Sequence, residues 1–73
     1  MALDYKELIL DQFRKHTDGK KGSCLQFQKI TFPIQEMAGY SAADCKAALG
    51  KLVKNGILTE KGTGTYCLGM DLP

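Results

Sequence analysis

Apolar side chains recur at Tyr5, Leu8, Ile9 and Phe13, while Lys6, Asp11, Arg14 and Lys15 occupy the remaining directions. Steps of three and four residues stack side chains on one side of an α-helix. Asp4, with Glu7 three residues on, forms a capping-box-like start in which Asp replaces Ser or Thr. The pattern predicts a first helix over 4–17, ended by the turn-rich "TDGKKGS" of residues 17–23. In "CLQF" the period changes to two, with Leu25 and Phe27 alternating with Cys24 and Gln26, which predicts a short half-buried strand over 24–27. Pro33 disfavours helical geometry at Phe32 and suits a first helical turn, so a second short helix is expected over 33–38. Gly39 and Tyr40 then make a tight turn.

Ser41 and Asp44 form another capping-box-like pair. Behind them Cys45, Ala48, Leu49, Leu52 and Val53 make one apolar stripe, predicting a third helix over 42–55 with Gly56 as its left-handed terminator. "ILTEK", the glycine-rich "GTGT" and "YCLGM" then predict a β-hairpin over 57–68. Tyr66 and Leu68 fall on one face of its second strand, Thr65 and Cys67 on the other. The expected fold is a single α+β domain: three helices and a short three-stranded antiparallel sheet.

The segment "GYSAADCKAALGKLVKNGILTEKGTGTYCL" joins a capped helix, an "L-x-x-x-G-I-L" exit and a "G-T-G-T-Y-x-L" hairpin. In this segment, and in its order of elements, the chain resembles the winged helix-turn-helix family over nearly its whole length. The second helix departs from that pattern, being short and preceded by "QKITFP". The resemblance implies that the third helix enters the major groove of double-stranded DNA with its early residues near base edges. It also implies that the strand after the first helix pairs with the last hairpin strand, bringing Cys24 near Cys67.

At about 100° per residue, Ala43, Ala47, Gly50 and Lys54 point away from the apolar stripe, flanked by Lys46 and Lys51, with Ser41 at the entrance. No Arg, Asn or Gln, the side chains that discriminate base edges best, stands on that outward face. Lysine more often neutralises phosphate as a point charge. Binding is therefore expected to be led by backbone contacts and weakly selective. In the hairpin, Lys61 and the Thr63 and Thr65 hydroxyls are candidate phosphate contacts. Gly62 and Gly64 are sufficiently explained by the turn itself.

Composition adds exclusions. Seventy-three residues, 44% hydrophobic and 25% charged, suit one small globular domain. No apolar run approaches the ~20 residues of a membrane span, and acidic residues interrupt the N-terminal apolar stretch, unlike a secretory signal. A cytoplasmic location is expected. A net charge of +2 permits DNA binding without requiring it. Three widely spaced cysteines argue against a disulfide framework, and in a reducing cytoplasm Cys24 and Cys67 would be free thiols, a redox pair being the alternative. His16 and the cysteines lack metal-ligand spacing, no nucleophile or phosphate-cradling motif is present, and no cofactor is expected. An enzyme is not expected.

The sequence thus points to a small winged-helix DNA-binding protein, a transcriptional regulator or accessory factor. The contacts would come from Ser41, Ala43, Lys46, Ala47, Gly50, Lys51, Lys54, Lys61 and Thr63. The alternative is a protein–protein interaction module on the same scaffold. A homodimer would strengthen either role, with Leu10, Met70 and Leu72 either packing against a second subunit or covering the edge of the domain.

Overall fold

The structure, a computed structural model, describes residues 4–72. Helix α1 (Tyr5–His16) is followed by strand β1 (Cys24–Gln26), helix α2 (Phe27–Gln35), helix α3 (Ala42–Lys54) and strands β2 (Leu58–Glu60) and β3 (Thr65–Leu68). The strands form one antiparallel sheet in the order β1-β3-β2. The expected α+β architecture of three helices and three strands is present. Among the described residues no helix is long and apolar enough to cross a membrane.

Helices α1 and α3 start where their capping residues stand. The Glu7 N–H donates to Asp4 Oδ1 at 2.9 Å, and the Asp44 N–H donates to Ser41 Oγ at 3.2 Å. Their inward stripes, Leu8, Ile9 and Phe13 from α1 and Cys45, Leu49 and Leu52 from α3, meet Ile30 and Ile34 of α2. Leu25, Leu58, Tyr66 and Leu68 close the core from the sheet.

Helix α2 departs from expectation. It spans Phe27–Gln35 rather than 33–38, and the strand before it ends at Gln26, so Phe27 opens the helix instead of closing the strand. Pro33 lies in the helix, not at its start. It has no N–H to offer the Lys29 carbonyl, a loss that falls on a single bond near the end of the helix. Burial outweighs the local signals. Ile30, Thr31 and Ile34 are buried with Phe27 packed beside them, which is helical spacing.

For Leu10 and Leu72 the structure favours the edge-covering alternative over dimer contact. Leu10 is buried in the core, and Leu72 packs against it with its N–H bonded to the Gly19 carbonyl. Both cover an edge of the domain. Met70 stays exposed.

Candidate nucleic-acid interface

The start of α3 is held by α1. Tyr5 accepts a hydrogen bond from the Ser41 N–H at 3.0 Å, and its ring meets Tyr40 edge-on with centroids 5.2 Å apart. With Cys45, Leu49 and Leu52 turned into the core, the outward residues Ala43, Lys46, Ala47, Gly50, Lys51 and Lys54 are all exposed. Ser41 is exposed as well, but its hydroxyl oxygen and N–H serve the helix start.

The face of α3 is bordered on two sides. Lys46 shares a notch of about 230 Å³ with the hairpin residues Glu60, Thr63, Gly64 and Tyr66 and with Phe27. On the other side, Ala47 and Lys51 line a groove of about 490 Å³ with Asp4, Tyr5, Lys6 and Asn55. Helix and hairpin thus come together at Lys46 and Thr63. Lys61 is exposed at the hairpin tip, outside both clefts, and its N–H closes the tip on the Thr65 carbonyl at 2.8 Å. Gly62 and Gly64 have φ of 68° and 83°, the left-handed geometry that the turn demands.

Charge in the Lys46 notch is mixed, because Glu60 is part of its lining. Burial, reinforced by the Glu60 charge and a hydrogen bond to Glu60, pushes the Tyr66 hydroxyl above its ordinary range. Among the described residues the ion pair is Lys15 to Asp11, on α1. Lys46, Lys51 and Lys54 hold no carboxylate at bonding distance there. Gly50 adopts ordinary negative φ, and a Cβ placed on it would meet nothing within 4 Å. The fold does not need glycine at that position.

Two groups at this face escaped the sequence reading. Gln26 and Gln28 are exposed and line a cleft of about 320 Å³ with Phe27, Thr63, Gly64 and Thr65. A second cleft, of about 370 Å³, continues from the same two glutamines to His16, Lys29, Phe32 and Pro33. The available signal was the spacing Phe27, Ile30, Thr31 and Ile34, which would have ended the strand one residue earlier.

Cys24 and Cys67 pair directly across β1 and β3, and their sulfurs are joined in a disulfide. Two free thiols were expected; the closed bond is the form that oxidising surroundings favour. Cys45 is the free cysteine, fully buried, and burial pushes its thiol from 9.0 up to about 11.

Neither a protein-family model nor a curated protein nor a solved structure matches this chain.

Proposed function

We propose that this domain is a winged-helix DNA-binding module that lays α3 and the β2–β3 hairpin on double-stranded DNA through phosphate contacts. It would act as a regulator or accessory factor. One observation carries the reading: three lysines stand exposed on the outward face of α3, without acidic partners among the described residues, and the hairpin rises beside the first of them. The small side chains between them let a phosphate backbone come close.

If Lys46, Lys51, Lys54 and Lys61 each neutralise one phosphate, log affinity falls against log salt with a slope of about −3.6. Between 50 and 200 mM salt that is a loss of roughly 150-fold. The test is fluorescence anisotropy with a mixed-sequence duplex at both salts, beside the triple variant Lys46→Ala/Lys51→Ala/Lys61→Ala. Steep salt weakening and loss of binding in the variant are expected. Absence of binding at the lower salt overturns the proposal.

A second reading rests on a different surface. Phe32 is 52% exposed and Met37 43% exposed, both on or just beyond α2. Exposed apolar side chains of this size favour a protein partner, and such a module would bind without DNA.

A further inference from the structure

The outward face of α3 lacks amide side chains, yet two stand beside the hairpin that borders it. Gln26 and Gln28 are both exposed, and neither side chain has a hydrogen-bond partner among the described residues. Gln26 occupies the cap position of α2 without capping it, a position at which Ser, Thr, Asp or Asn would serve the fold better. The fold makes no use of either amide.

Their placement is set by backbone contacts. Gln26 pairs with Thr65 across the sheet, and the Phe27 N–H donates to the Gly64 carbonyl at 2.7 Å. The start of α2 is therefore fixed against the base of the hairpin. Thr63 and Gly64 line both the amide cleft and the notch that holds Lys46. A DNA backbone resting on Lys46 and Thr63 thus passes the mouth of the amide cleft, which Thr63 and Thr65 also line.

A carboxamide carries a donor and an acceptor side by side, and a glutamine can match adenine through both at once. The lysines of α3 carry donors alone and fit phosphate. We propose that Gln26 and Gln28, rather than any residue of α3, determine which base pairs this domain prefers. The lysines then hold the duplex in register. This inference rests on the DNA-binding reading above and adds a source of selectivity that α3 does not supply.

The test is enrichment of a randomised duplex pool by the native chain, by Gln26→Ala/Gln28→Ala and by Lys46→Ala, with sequencing of the bound fraction. Anisotropy on the enriched and a scrambled duplex accompanies it. Discrimination by the native chain should be of order 5- to 100-fold, the range for one good bidentate base contact. The glutamine variant should lose that discrimination and keep its affinity for the scrambled duplex and its salt slope. Lys46→Ala should weaken both duplexes alike. Both glutamines are exposed, so an unchanged thermal melt is expected and guards against misfolding. A glutamine variant that enriches the same motif overturns the inference and leaves DNA binding standing, as does a native chain that enriches none. A native chain that binds no duplex at low salt overturns both.

Discussion

The Cys24–Cys67 disulfide joins residues 43 apart in sequence. In the chain-entropy treatment, closing a loop of this length removes unfolded-state freedom worth about 4 kcal/mol at 25 °C. A 73-residue domain has a total stability of roughly 4–11 kcal/mol, so the cross-link supplies a large part of it. The unfolding entropy of such a chain is about 0.15 kcal/mol per kelvin, and the quotient is a fall in Tm of ~25 °C. The comparison is a calorimetric melt of the oxidised chain, the chain under a phosphine reductant, and the variant Cys24→Ala/Cys67→Ala. The reduced native chain controls for packing lost at Cys67, which is buried. Maleimide labelling in denaturant should find only the Cys45 thiol before reduction and all three cysteines after it. With the bond shown closed, a Tm difference below about 5 °C would refute the reasoning, because the cross-link would not be restraining the unfolded chain.

Further outcomes follow from glycine geometry and from the buried thiol. Gly50→Ala adds a methyl group in open space on α3, and denaturant unfolding should show a gain of about 1 kcal/mol. Gly69→Ala should do the opposite: its Cβ would stand 2.5 Å from the Gly56 carbonyl oxygen, and the Gly69 N–H to Ile57 carbonyl bond would be disturbed. A loss of about 1–3 kcal/mol is expected from the same assay. Alkaline titration should weaken the fold. The Cys45 thiol keeps its proton to about 11 when folded but to 9.0 in its ordinary state. Stability is thus intact below pH 9 and declines as pH climbs towards 11. Tyr66, also raised by burial, adds to the decline in the same sense. Cys45→Ala should flatten the first part of that slope; an unchanged slope would show that the thiol is not its source.

How much of this was legible depends on where each signal resides. The bounds of α1 and α3 are written locally, in Asp4 with Glu7 and Ser41 with Asp44, and the bonds those pairs predict are made. The outward placement of Lys46, Lys51 and Lys54 followed from helix geometry alone. Helix α2 has no capping side chain and contains a proline, and it holds together because Ile30, Thr31 and Ile34 are buried against the other helices. That burial is non-local information. Gln26 meets the hairpin through its pairing with Thr65, and misplacing the start of α2 hid Gln28, which joins it in the cleft once the helix begins at Phe27. The register of Cys24 opposite Cys67 agrees with what the family resemblance implied. Whether the two sulfurs join depends on the surroundings and is not encoded in the pattern of residues.

The order β1-β3-β2 also governs the timing of synthesis. Among the described residues strand β1 pairs only with β3, and a chain growing from its N-terminus must add some forty further residues before that partner exists. Until then the helices can coil, since their hydrogen bonds are local, while Leu25 waits without its cover of Tyr66. The sheet and the hairpin base at Gly64, and with them the amide cleft, then form in one late step. A chain truncated before residue 65 would keep the residues of the three helices but have no sheet, so the hairpin base and the cleft at Gln26 and Gln28 should form abruptly with the last strand rather than grow with length.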